Sequence, residues 1–161
     1  MQVFKGQNYI KDAYQKLAWH GLLQGNTNQY QQYMAACKQY GHALVAGDKS
    51  ALKEAKQKVI PNATLLKARL LFDGGYYQKG YDLLQGMSYS DFPDLKSQLE
   101  FHYRLGRITH QLQRFPEAIN FYQTTIEKGK NQTFFFACNA ALQLAKPVSY
   151  THLTLPTILH V

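Results

Sequence analysis

Two stretches of the sequence, 65–86 and 103–129, carry the same arrangement of small and aromatic residues. A fixed period with matched positions is typical of a helical repeat array, in which each unit buries its apolar face against the next. The alternative is a chance coincidence between two ordinary helices. The matching positions are 38 residues apart and pair Ala68 with Gly106, Tyr77 with Phe115, and Gly80 with Ala118.

The second stretch predicts two antiparallel helices. One apolar stripe at steps of three and four residues indicates a first helix, and another stripe follows after a short break. Pro116 stands near the first turn of the second helix, where its missing N–H costs no hydrogen bond. Because the break is short, the two helices must lie side by side. The stripes consist of Phe101, Leu105, Ile108 and Leu112, followed by Ala118, Tyr122 and Thr125.

Gly106 lies inside the predicted first helix, where glycine costs about 1 kcal/mol relative to alanine. A glycine at such a position indicates a gain in packing. We therefore expect Gly106 and Ala118 to let the two backbones approach closely. The residues expected to pack within and between hairpins are Ala68, Tyr77, Gly80, Leu105, Gly106, Phe115, Ala118 and Tyr122.

The whole sequence predicts an all-α chain of helix hairpins. An extra helix is expected in "DKSALKEAKQK", with Asp48 as its N-cap. In the first hairpin, Ala18 matches the first small position but Tyr30 occupies the second, so these helices should cross more openly. The predicted array spans 1–146, with hairpins at about 10–40, 63–86 and 98–129 and a half-repeat at 133–146.

The last segment, "PVSYTHLTLPTILHV" at 147–161, departs from this pattern because it lacks acidic residues and has a strand-like composition. It resembles translated read-through of a sequencing adapter. We therefore expect a non-native or disordered tail and an array truncated near residue 146; a genuine extended tail and an added strand are the alternatives. An array without a polar cap would leave apolar residues poorly covered, namely Phe134, Phe135, Phe136 and Leu142.

The basic charge of the chain does not by itself indicate nucleic acid. Eighteen Lys and Arg against ten Asp and Glu give a net charge of +8, but the lysines are interrupted by other residues. Mixed runs of this kind usually form solvated helix faces, so nucleic-acid binding is disfavoured. The sequence contains neither an apolar run of about 18 residues nor a leader pattern in "MQVFKGQNYIKDAYQ". We expect no membrane span and take the cytoplasm as the default compartment.

No catalytic or metal-binding motif stands out. His102 and His110 are eight residues apart on one predicted helix, a rise of about 12 Å, which is too far to share a metal ion. Cys37 and Cys138 define neither a disulfide framework nor a metal site, and both are expected to be buried free thiols. The sequence therefore predicts no catalysis, no cofactor and no metal.

The 103–129 stretch resembles the tetratricopeptide repeat (TPR) family. The family pattern is Trp-x2-Leu-Gly-x2-Tyr, then Ala-x3-Phe, then Pro, and the resemblance extends over about 10–145. The phrases "YIKDAYQKLAW" and "LLKARLLFDGGYYQ" also resemble bacterial TPR proteins of the Bacteroides and Prevotella type. Leu105-Gly106, Phe115, Ala118 and Tyr122 match the pattern, whereas His102, Thr109 and Lys130 replace its tryptophan, first tyrosine and proline.

This resemblance implies antiparallel hairpins stacked as an α-solenoid, which acts as a scaffold and binds a partner peptide or protein segment on its concave face. Arg69 and Arg107, 38 residues apart, should project on the same side of neighbouring hairpins. Paired guanidiniums beside aromatic rings suit an acidic peptide or a terminal carboxylate. Alternatively, they form ion pairs with Asp73 or Glu100. The expected partner-binding residues, facing away from the intra-hairpin contact, are Arg69, Phe72, Tyr103, Arg107 and His110.

A second interpretation comes from a different functional class. In it, the chain is a helical sensor or regulatory module of a larger bacterial signalling or transcription-regulating protein. A nucleic-acid binder ranks third. The sequence leaves the identity of the partner and the oligomeric state open.

Overall fold

The computed structural model describes residues 6–57 and 59–145, and within these ranges the chain is all-helical, without strands. The predicted all-α class is confirmed for this part of the chain. The predicted tail at 147–161 lies outside the described residues. The helices are α1 (Ile10–Leu23), α2 (Thr27–Gln39), α3 (Ala46–Lys56), α4 (Ala63–Asp73), α5 (Tyr77–Leu84), α6 (Leu95–Gln111), α7 (Phe115–Gly129) and α8 (Phe136–Ala145), with a 3-10 turn at Tyr89–Asp91.

The helices divide into two compact units, Met1–Lys67 and Ala68–Val161, and the boundary falls inside α4. In the first unit, α1 packs against α2, and α3 packs against both. In the second unit, α5 packs against α6, α6 against α7, and α8 against both α6 and α7. No described helix combines the length and the hydrophobicity that a membrane span requires.

Two buried charged side chains tie α1 to its neighbours in the first unit. Asp48 is fully buried and accepts hydrogen bonds from the backbone N–H groups of Tyr9 at 2.7 Å and Asp12 at 3.0 Å. It therefore caps the start of α1, and the predicted role as N-cap of α3 is wrong because α3 already begins at Ala46. Lys11 donates from Nζ to the carbonyl oxygens of three residues at the end of α2, namely Cys37, Lys38 and Tyr40.

Three helix pairs close through the same turn. In the turn after α1, the Asn26 N–H donates to the Gly21 carbonyl at 2.9 Å, and Gly25 takes up a left-handed conformation. The pattern is a Schellman motif, which satisfies the last carbonyls of a helix. It recurs after α4 with Tyr76 donating to Leu71 and left-handed Gly75, and after α6 with Arg114 donating to Thr109 and left-handed Gln113.

Gly106 accommodates an aromatic ring of the neighbouring helix. A Cβ atom at this position would lie 2.8 Å from ring carbons of Tyr122, and its next neighbour would be Phe121. The nearest atoms thus belong to these two aromatic residues of α7 and not to Ala118, the partner that the sequence predicted. Ala118 is itself buried in the adjoining core of α6, α7 and α8. The close approach arises because a small residue receives a large one.

The other residues expected to pack in the repeat fall into two groups. Gly80 of α5 makes room for α6, since a Cβ there would lie 3.2 Å from Cδ1 of Ile108. Tyr77 and Phe115 contact side chains near the end of the preceding helix, with ring centroids 5.2 Å from Phe72 and 5.8 Å from His110. The fully or almost fully buried members are Ala68, Gly80, Leu105, Gly106, Ala118 and Tyr122.

The expectations for exposed apolar groups hold in part. Phe135 and Leu142 are 58% and 60% exposed, whereas Phe136 is buried and Phe134 packs against the core of the second unit. Phe136 is covered because it lies on the face of α8 that contacts Tyr103. Cys37 and Cys138 are free thiols, and Cys37 is buried. The predicted burial of Cys138 is wrong, since that residue is exposed.

Candidate functional site

Three of the five predicted binding residues come together in the second unit. The guanidinium carbon of Arg107 on α6 lies 4.0 Å from the centroid of the Phe72 ring on α4. Arg69 is one helical turn before Phe72, and its Nε lies 3.5 Å from Oδ2 of Asp73. We call Arg69, Phe72 and Arg107 the arginine surface. It joins two cations across two helices with an aromatic ring between them.

The helix register explains why both arginines lie on this surface. Each directly follows a buried small residue, Ala68 on α4 and Gly106 on α6. The small residue faces the interior, so the next position lies about 100° around the helix. The arginines therefore occupy equivalent positions on their helices, as their 38-residue separation indicates.

Arg104 provides a buried charge beneath the surface. Its side chain is 11% exposed, and its Nε donates to Oε1 of Glu100 at 2.9 Å. Burial lowers the pKa of Arg104, and the neighbouring Glu100 carboxylate opposes that shift. Glu100 thus pairs with Arg104, whereas Asp73 pairs with Arg69. The ion-pair alternative raised for the two arginines is realised at Arg69 but not at Arg107, whose guanidinium covers Phe72.

The arginine surface has little internal space. Ala68, Phe72, Arg104, Arg107 and Ile108 enclose about 150 Å³ of empty volume. Small-molecule sites usually offer about 300 to 1,000 Å³. The surface therefore suits a polypeptide lying across it better than a small molecule enclosed within it.

Tyr103 and His110 lie elsewhere, on the face of α6 that contacts α7. The Tyr103 ring is 6.4 Å from Tyr122 and 5.7 Å from Phe136, and only 6% of the residue is exposed. His110 packs edge-on against Tyr122 and Phe115. Their predicted placement away from the intra-hairpin contact is wrong. Their spacing could have shown it, because they lie three residues before and four residues after Gly106 and so share its face.

A second polar cluster, in the first unit, was missed by sequence reasoning. Oε1 of Glu54 accepts from Trp19 Nε1 at 2.8 Å and lies 3.5 Å from the Tyr30 hydroxyl, while Oε2 accepts from Gln15 Nε2 at 2.6 Å. A cleft of about 250 Å³ opens beside this carboxylate. Glu54 was interpreted as part of a solvated helix face, because the side chains that hold it lie far away in sequence.

The described residues contain no group of three His, Cys, Asp or Glu side chains that could hold a metal ion. His102 is the one histidine with a resolved change in pKa. Its Nδ1 is buried without a hydrogen-bond partner in the described part of the chain, and the ring stacks on Tyr89 at 5.3 Å. Burial lowers the pKa of His102, and the charge of Lys128 lowers it further. This residue therefore favours its neutral form.

Comparison of the chain with protein-family models, with curated protein sequences and with solved structures gives no significant match.

Proposed function

We propose that the chain is a TPR-like helical array that acts as a protein-interaction scaffold without catalysis. Three hairpins that close through the same Schellman turn support the repeat interpretation. Within the second unit, Gly80 makes room for Ile108 of the following hairpin, as expected if successive hairpins pack through small residues. In such an array, each hairpin presents the exposed side of its first helix to a partner.

The arginine surface is the proposed contact, and its partner is an acidic peptide segment. Phe72 supports the planar guanidinium of Arg107, which limits its rotamers and leaves its N–H groups at the ring's periphery to donate to a carboxylate. The Arg69 side chain is 43% exposed, and that of its partner Asp73 is 51% exposed. Exposed ion pairs contribute about 0 to 1 kcal/mol, so an incoming carboxylate can exchange with Asp73 at low cost.

The observation that carries this proposal is the placement of Arg107 over Phe72, next to a second arginine on the same side of α4. A structural ion pair alone would not require the aromatic ring. Two guanidiniums and an apolar surface together match a segment that alternates carboxylates with apolar groups.

The test is the double substitution Arg69→Ala and Arg107→Ala. We expect it to weaken binding of a fluorescein-labelled hexapeptide of alternating Asp and Leu by at least tenfold, measured by fluorescence anisotropy. Each lost charge-assisted hydrogen bond is worth about 1.5 to 3 kcal/mol, so tenfold, about 1.4 kcal/mol, is a low threshold. The melting temperature should change little, because the side chains of both arginines lie at the surface.

The matched control removes two charges elsewhere, by Lys79→Ala and Lys130→Ala, both at exposed positions. Its affinity should stay within twofold of the parent chain. Equal losses in the two double variants would show a general effect of net charge and would contradict the proposed surface.

A further inference from the structure

The cleft in the first unit has an acidic wall and an otherwise largely apolar lining. It lies between α2 and the segment from α3 to Ile60, and its volume is about 250 Å³. This is smaller than most small-molecule sites, which begin near about 300 Å³. The volume suits a single side chain. The lining residues are Tyr30, Gln31, Met34, Ala35, Lys38, Glu54, Ala55, Val59 and Ile60.

The carboxylate in this wall is held in a fixed orientation. Its three neighbours, Gln15, Trp19 and Tyr30, are each at most 4% exposed. Their polar atoms lie at 2.6, 2.8 and 3.5 Å from the Glu54 oxygens. A carboxylate held by buried donors keeps its position without further ordering when a ligand arrives, and preorganisation of this kind favours binding.

The carboxylate has no cationic partner among the described residues. All three of its hydrogen-bond donors are neutral side chains, and no Lys, Arg or His nitrogen in 6–57 or 59–145 lies within 4.0 Å of it. A partly buried carboxylate without a counter-charge is costly. A cation entering the cleft would therefore gain an electrostatic interaction that the described residues do not supply.

We propose that this cleft receives the side chain of a lysine from a partner polypeptide. The ammonium group would pair with Glu54, and the four-carbon stem would lie along Met34, Ala55 and Ile60. A lysine side chain joins an apolar stem to a compact charge, which matches this lining. This inference is independent of the arginine surface, since it concerns the other unit and a ligand of opposite charge.

The chain carries a built-in reporter for the test. Trp19 is the single tryptophan, and its indole N–H donates directly to Glu54. Its side-chain ¹H–¹⁵N resonance is therefore one isolated signal that should respond when the carboxylate gains a cationic partner. The experiment titrates the full chain with the peptide acetyl-Gly-Gly-Lys-Gly-Gly-amide and follows this resonance. The matched peptide, with norleucine in place of lysine, keeps the stem and removes the charge.

We expect a saturable shift with the lysine peptide, with a dissociation constant on the order of millimolar, and at least tenfold weaker binding of the norleucine peptide. Glu54→Gln should abolish the difference between the peptides. Because the amide introduced by this substitution could also disturb the hydrogen bonds to Trp19, Ala35→Phe is the second variant. It fills the cleft from an exposed position of α2, leaves the carboxylate in place, and should weaken binding at least fivefold.

Three outcomes would overturn the proposal. The first is equal binding of the two peptides, and the second is undiminished binding to a correctly folded Ala35→Phe variant. The third involves Lys58→Gln, a change outside the described residues. Lysine-peptide binding that appears only in this variant would show that the chain's own lysine occupies the cleft, whereas unchanged binding supports a lysine from a partner.

Discussion

A single missing methyl group at position 106 determines how closely α6 and α7 approach. The ring of Tyr122 occupies the space that a Cβ would fill, and both residues are buried. The sequence indicated that Gly106 had a packing role, because glycine is unfavourable inside a helix. It could not identify the neighbour, because Ala118 and Tyr122 are one turn apart on the same face of α7 and fit the same pattern.

Gly106→Ala should destabilise the chain by about 1 to 2 kcal/mol. Overpacking a core costs about 1 to 3 kcal/mol, and the better helix propensity of alanine recovers up to about 1 kcal/mol. Gly86→Ala is the matched control, because a Cβ at that position would meet no atom within 4 Å. Chemical denaturation of both variants provides the measurement. A Gly106→Ala variant as stable as the Gly86→Ala variant would contradict the packing seen at Tyr122.

His102 should make the stability of the chain depend on pH. Its folded pKa is lowered by burial, so the unfolded state binds a proton first as the pH falls below about 6.5. The contribution of the neutral ring is complete above that value and is lost as the pH falls through the folded pKa. Thermal melts from pH 7.5 to 5 should show this decline.

His102→Phe should reduce the decline, since phenylalanine keeps an aromatic ring next to Tyr89 and Phe121 but cannot titrate. Its melting temperature should fall less between pH 7 and 5 than that of the parent chain. Parallel pH profiles for the two proteins would rule out His102 as the source.

Among the structural elements, the helices were predictable but the polar contacts that join them were not. Apolar periodicity and turn residues placed α1, α2, α6 and α7 within a residue or two, except that α6 begins at Leu95, ahead of the expected start. Asp48 was assigned to its own helix because capping rules are local in sequence. Its actual partners, near Tyr9, lie 36 to 39 positions away. The same distance concealed Glu54, whose hydrogen-bond partners lie on α1 and α2.

The cap that Asp48 provides for α1 should be essential to the first unit. Asp48→Ala leaves two backbone N–H groups near the start of α1 without their acceptor, and hydrogen bonds to a charged group contribute about 1.5 to 3 kcal/mol each. We expect a loss of about 3 kcal/mol or more. Asp48→Asn keeps one carbonyl acceptor and should lose roughly half as much.

Ser50→Ala, at an exposed position of the same helix, serves as the control and should change stability by less than about 0.5 kcal/mol. Urea denaturation followed by circular dichroism measures all three variants. An Asp48→Ala variant as stable as the Ser50→Ala variant would show that the cap contributes nothing.

The whole molecule shows why repetition was easier to predict than recognition. The 38-residue period relating the second and third hairpins reflects contacts that recur, so small residues, aromatic residues and turns all indicate the same units. A binding surface need not recur. Arg69 and Arg107 follow the period and lie at equivalent positions, whereas Tyr103 and His110 were chosen for their chemistry and face the interior of the hairpin.

The shared turn geometry has a consequence for how such a chain can change its length. Because Gly75 and Gln113 hold the same backbone conformation and are followed by the same pattern of donors, residues 76–113 begin and end at interchangeable junctions. Duplicating this segment in frame would rejoin the chain at Arg114 with both closing hydrogen bonds available. Genetic gain or loss of one hairpin is thus compatible with intact helix ends, which gives this architecture a simple route to variation in size.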